Sequence, residues 1–111
     1  MPARYQTKFT TIVSGAAVSA AVDLSGGDLF GLWVPVLTSG SAVLLGSFDA
    51  TSANFVRMTN PAGSGDWTFG VGPGSRAVTL QDVAFPFPFL KVETLVTQAD
   101  TRSLALIAKL R

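Results

Sequence analysis

The strongest constraint on the fold lies in the last quarter of the chain. There Leu90-Lys91-Val92-Glu93-Thr94-Leu95-Val96 and Ser103-Leu104-Ala105-Leu106-Ile107-Ala108-Lys109-Leu110 flank a polar break at 97–102. In the first run Leu90, Val92, Thr94 and Val96 share one side of an extended chain, opposite Lys91 and Glu93. In the second, Leu104, Leu106, Ala108 and Leu110 oppose Ser103, Ala105, Ile107 and Lys109. A strand turns alternate side chains to opposite faces, whereas a helix repeats every 3.6 residues, so both runs read as strands with one face to bury. The short polar joint predicts a β-hairpin, forming the central pair of a sheet.

The same alternation recurs upstream. Residues 4–13 place Tyr5, Thr7, Phe9, Thr11 and Val13 on one side and Gln6, Lys8, Thr10 and Ile12 on the other, a good strand of aromatic and β-branched residues. Residues 17–24 form a second extended run, with Val18, Ala20, Val22 and Leu24 together; helix is the rival, but no cap precedes the run and glycine breaks bound it. In 29–37, Phe30, Leu32, Val34 and Val36 oppose Leu29, Gly31, Trp33 and Leu37. Both faces are apolar, so this strand is covered on two sides or meets a partner. Pro35 cannot donate to a ladder and marks an edge or bulge. Shorter runs follow at 42–48, 55–59, 67–71 and 76–80, with glycine- or proline-containing turns between most of them. The expected fold is all-β: one domain over residues 1–111, an antiparallel jelly-roll-like β-sandwich of about eight to nine short strands. Residues 1–8 would serve as an N-terminal contact arm.

Arg4 and Lys8 ahead of the apolar stretch 9–22 imitate a secretory leader, but Thr10, Thr11, Ser14 and Gly15 interrupt it, and the strand reading is preferred. No run approaches the ~20 apolar residues of a membrane-spanning helix, so no membrane partner is expected.

The residue inventory argues against catalysis. The chain has no His and no Cys, so a Ser-His-Asp triad cannot form and the commonest metal ligands are missing. No catalytic residue, cofactor or metal site is expected. Gly70-Val71-Gly72-Pro73-Gly74 is glycine-rich, but Pro73 removes a backbone donor and strand follows, so a turn is preferred to a phosphate cradle. The seven acidic residues sit mostly in turn segments and have no calcium-loop spacing. The eight basic residues are scattered and the net charge is +1, which argues against a nucleic-acid partner.

Charged residues make up only 14% of the chain, against about 25% in a typical soluble domain, while 48% are apolar. Such a surface is hard to keep soluble alone and points to assembly. Phe85-Pro86-Phe87-Pro88 is stiff and cannot bury both rings on one face within a ladder. The candidates for an interface with another subunit or partner are therefore Arg4, Tyr5, Lys8, Trp33, Phe85 and Phe87, with aromatic anchors and a polar rim. The alternative is a glycan-stacking surface built on Trp33 or Trp67. For each ring, core filling is the plainer reading.

Five stretches carry a resemblance: Ala21-Val22-Asp23-Leu24-Ser25-Gly26-Gly27, Leu32-Trp33-Val34-Pro35, Gly46-Ser47-Phe48-Asp49, Phe89-Leu90-Lys91-Val92-Glu93 and Ala99-Asp100-Thr101-Arg102-Ser103-Leu104. Their layout over most of the chain resembles a family of short proteins encoded among the structural genes of tailed bacteriophages. Ser47-Phe48-Asp49-Ala50 departs from it, since the family more often has an aspartate-glycine turn there. The resemblance implies a virion component. The expectation is a capsid decoration protein on the outer capsid surface, contacting the major capsid protein and copies of itself as a homotrimer. The alternatives are a tail or fibre-associated sandwich, or a carbohydrate-binding host-recognition module.

Overall fold

The computed structural model describes residues 4–24, 27–38, 41–59, 62–70, 76–79 and 87–110, without the side chains of Ser52, Gly70, Arg76, Val78 and Thr79. The described residues form nine strands: β1 (Tyr5–Ile12), β2 (Val22–Asp23), β3 (Gly27–Val34), β4 (Ser41–Ser47), β5 (Val56–Arg57), β6 (Thr68–Gly70), β7 (Arg76–Thr79), β8 (Phe89–Thr94) and β9 (Arg102–Leu110). The helical content of the described residues is one 3-10 turn at Ser52–Asn54. The strands form two antiparallel sheets. The first runs β1-β9-β3-β7; the second runs β2-β8-β4-β5, with β6 on the same edge of β4 as β5.

The core lies between the sheets. Leu29, Leu32 and Val34 from β3 and Leu104, Leu106 and Ala108 from β9 meet Ala42 and Leu44 from β4 and Leu90 and Val92 from β8. Leu104 and Leu106 are fully buried. Burying one such leucine is worth about 1.5–3 kcal/mol. The inward faces expected for the two C-terminal runs are observed at Leu90, Val92 and Thr94 and at Leu104, Leu106 and Ala108, while Val96, expected beside them, lies beyond β8 and is exposed.

The expected pairing of the two runs is not observed. β8 and β9 belong to different sheets and each is central in its own: β8 lies between β2 and β4, and β9 between β1 and β3. The polar joint is a corner between sheets instead of a hairpin turn. Gln98 fastens it. Its backbone N–H donates to the Ala16 carbonyl at 2.8 Å, and its carbonyl accepts from Gly15 N–H at 2.9 Å. Its side-chain oxygen accepts from Thr38 N–H at 2.9 Å and from Arg102 Nε at 3.3 Å, while Nε2 donates to the Val96 carbonyl at 3.2 Å. A loop held at both ends in this way has no freedom to fold β9 back beside β8.

Three other expectations need correction. The stretch 17–24 is strand only at Val22–Asp23. Upstream, the Ser19 hydroxyl accepts from Val92 N–H at 2.9 Å and donates to the Ala20 carbonyl at 2.9 Å, so a side chain replaces part of the ladder. The regular alternation is lost, leaving Val18 and Ala20 exposed while Val22 is buried. In β3 the register against β9 shifts between Leu29 and Gly31. This bulge turns Leu29 inward with Leu32 and Val34, and leaves Phe30 half-buried on the other side with Trp33. Residues 5–8 of the expected contact arm lie within β1, where Tyr5 pairs with Lys109, Gln6 with Ala108, Thr7 with Ile107 and Lys8 with Leu106. The strand expected at 55–59 is reduced to Val56–Arg57.

Candidate functional site

The two outer faces differ in kind. On β4 every residue but Ser41 is buried, although only alternate ones face the core. Val43 and Leu45 point outward and are covered by long side chains from the flanking strands. Arg57, opposite Leu45, makes two hydrogen bonds to Glu93, from Nε at 3.1 Å and from the second guanidinium nitrogen at 3.2 Å, and pairs with Asp66 at 3.0 Å. Lys91 sets its ammonium 4.4 Å from the centre of the Phe55 ring. The hydrogen bonds to Glu93, and then to Asp66, raise the Arg57 pKa above its ordinary value, so the guanidinium stays charged. Val43 and Leu45 on the outer face of the second sheet are thus shielded by a charged lattice and its stems, while Phe48, just past β4, stays 71% exposed.

The first sheet presents rings instead. Thr10 and Ile12 of β1 point into the core, which sends Tyr5, Thr7, Phe9 and Thr11 outward. Across the sheet Phe9 pairs with Ala105, and Ala105 with Trp33, which pairs in turn with Ala77. Phe9 is 76% exposed and Trp33 45%. They stand two strand spacings apart, about 9.5–10 Å, with small Ala105 between them. A second group lies further along the same face. Tyr5, 52% exposed, packs on Phe30 with ring centres 5.5 Å apart, and Lys109 lies 5.9 Å from the Phe30 ring. Phe30 reaches this face because of the bulge in β3.

Of the residues singled out in the sequence, Tyr5 and Trp33 share this face. Lys8 is half-buried and points to the other side of β1. Arg4 is exposed and lends its carbonyl to Leu110 N–H at 2.8 Å. Trp67 is half-buried against the core beside the second sheet, so the two indoles form no common platform. Phe87 packs onto Gly46, where a Cβ would come within 3.0 Å of the ring and 3.2 Å of Met58 Cγ; Gly46 is what lets the ring approach. Phe85 lies outside the described residues. The sequence reading missed Phe9 and Phe30. Phe9 was legible as a neighbour of Tyr5 on one side of β1, but that side looked as fit for the core as the other.

Asp49 is engaged within its own loop, accepting from Asn54 Nδ2 at 3.1 and 3.0 Å and from Thr51 N–H at 3.0 Å. The Asn54 hydrogen bond is the largest cause holding its carboxyl below the usual value. Among the described residues no group of His, Cys, Asp or Glu could hold a metal ion.

Fold and face together define a two-sheet, all-β sandwich with one open aromatic surface. No protein-family model and no curated protein matches the chain. Among solved structures it is similar to the SPBc2 prophage-derived protein YomS, at 9% identity over 98% of this chain and 97% of that one, with a TM-score of 0.53. At that identity the likeness shows the fold. A more distant similarity, to the Yersinia pseudotuberculosis-derived mitogen, covers 99% of this chain and 88% of that one at 12% identity, with a TM-score of 0.37.

Proposed function

We propose that the protein is a structural component of a tailed-phage virion, and within that class a capsid decoration protein bound to the outer shell through the major capsid protein and copies of itself. The observation that carries this reading is the contrast between the two faces: Arg57, Glu93 and Lys91 shield the outward side chains of β4, while the first sheet leaves Tyr5, Phe9 and Trp33 together in solvent. Contiguous exposed apolar surface marks interaction sites, and aromatic anchors are enriched where proteins meet. The turn-and-strand resemblance to phage structural proteins supports the setting, and so does the fold shared with a prophage-derived protein. We read the sandwich as a jelly roll, because strands alternate between the sheets in the orders β1-β9-β3-β7 and β2-β8-β4-β5. That architecture serves viral capsids and lectins alike.

The test is co-sedimentation of purified protein with undecorated capsids, for wild type and for Phe9→Ala with Trp33→Ala. Each ring is worth roughly 1.5–3 kcal/mol if buried on docking, so the double variant should bind at least about tenfold more weakly. Unfolding stability should change by less than about 1 kcal/mol, since both rings are largely outside the core. Unchanged binding would remove the aromatic face from the contact. Immunogold labelling of intact particles separates head from tail. Trp33, with Phe9 across Ala105, also favours a second reading as a glycan-stacking surface. Glycan-array binding that is lost in Trp33→Ala would select it.

A further inference from the structure

Among the described residues no strand pairs with the outer edge of β1, although β2 passes near it. β1 is eight residues long, while the other strands at sheet edges, β2, β5, β6 and β7, have two to four. Leu110 N–H donates to the Arg4 carbonyl, which fixes the phase of the ladder: Arg4, Gln6, Lys8 and Thr10 bond toward β9. Tyr5, Thr7, Phe9 and Thr11 turn their backbone groups away. The Thr11 carbonyl agrees with this phase, since it accepts from Ala20 N–H at 3.2 Å. Among the described residues nothing bonds the outward N–H and C=O groups of Tyr5, Thr7 and Phe9. Natural edges are protected by bulges, prolines or charges, and this stretch of β1 has only Lys8.

We infer that a second copy of this chain occupies this edge, pairing β1 with β1 antiparallel about a twofold axis at Thr7. Backbone phase requires odd residues to face odd ones, which leaves few registers. With Thr7 opposite Thr7, Tyr5 faces Phe9 of the second copy on the aromatic side, and Gln6 faces Lys8 on the other. Sliding by one residue about the axis in one direction sets Lys8 against Lys8; in the other it sets Arg4 against Lys8. Like charges directly opposite in a sheet are destabilising. A longer slide meets Ala20 at Thr11 in one direction, and in the other pairs only Tyr5 among the rings. The surviving register is self-complementary, as an isologous contact must be, and closes at two copies. The assembly inferred is thus a dimer, in place of the homotrimer expected from the sequence. It joins the first sheets into one and lays the two aromatic faces side by side.

This deepens the self-association part of the function proposed above, yet its test needs no capsid and can fail alone. Purified protein is followed by sedimentation equilibrium at micromolar concentration. Thr7→Pro removes an outward N–H without touching the ladder to β9, a position where an edge strand tolerates proline. It should weaken the dimer by roughly tenfold or more, with the fold retained by circular dichroism. Gln6→Lys puts a cation opposite Lys8 and should also weaken it, while adding Lys8→Glu should restore it; this pair of variants decides the matter if Thr7→Pro fails to fold. A monomeric wild type, or a dimer indifferent to the Gln6 and Lys8 changes, overturns the inference.

Discussion

Gln98 shows how much one polar side chain can hold. It is 1% exposed, and every buried polar side-chain atom among the described residues has a partner. Gln98→Ala takes the acceptor from the Thr38 N–H and from Arg102 Nε at the corner between the sheets, while the Val96 carbonyl keeps the Thr94 hydroxyl at 2.8 Å. Leaving buried polar groups unpaired costs about 1–3 kcal/mol, so the denaturant midpoint should fall accordingly with the urea slope unchanged. Asp49 acts on a smaller scale, as the acceptor that shapes the loop after β4. Its carboxyl is held below 3.8, mainly by the Asn54 hydrogen bond. A depressed folded pKa stabilises fully above the unfolded pKa, and that contribution is lost as pH falls through the folded value. Asp49→Asn should therefore be less stable than wild type near neutrality, and the gap should close below about pH 4 in acid titrations followed by fluorescence.

Elements were legible in the sequence to different depths. Alternation states which residues share a side, and for β8 and β9 the inward sets were readable as Leu90, Val92 and Thr94 and as Leu104, Leu106 and Ala108. It says nothing about which strand lies alongside. Pairing is a long-range choice, settled here by the corner at Gln98. The bulge at Phe30 was hidden for another reason: one extra residue reverses the parity of β3 without altering its composition. In β1 the face with Tyr5 and Phe9 is the more apolar, yet Thr10 and Ile12 are the residues that reach the core. The inward Thr10 hydroxyl is satisfied by the Ala20 carbonyl at 2.8 Å. The open face was thus half visible, through Tyr5 and Trp33, and its remaining rings depended on two facts that no periodicity carries.

At the scale of the whole molecule, low charge and high apolar content are reconciled by unequal faces. Arg57, Asp66, Lys91 and Glu93 shield β4, and Tyr5, Phe9, Phe30 and Trp33 share the outer side of the first sheet. The placing of β9 bears on how such a molecule is made. β9 is the last of the described strands and lies inside its sheet, bonded to β1 along Tyr5–Ile12 and to β3 along Gly27–Trp33. On the ribosome β1 emerges before β2 to β8 and meets its ladder partner only when β9 follows. Pairing across so wide a separation in sequence is slow, on the order of milliseconds to seconds for β-sandwiches. Nascent chains stalled before residue 102 should therefore be digested readily by protease, and completed, released chains should resist it. Resistance in the stalled chains would mean that the second sheet can stand without the first. Throughout translation the long aromatic strand β1 is left unpaired, so the hazard of mispairing between neighbouring ribosomes on one message falls chiefly on residues 5–12.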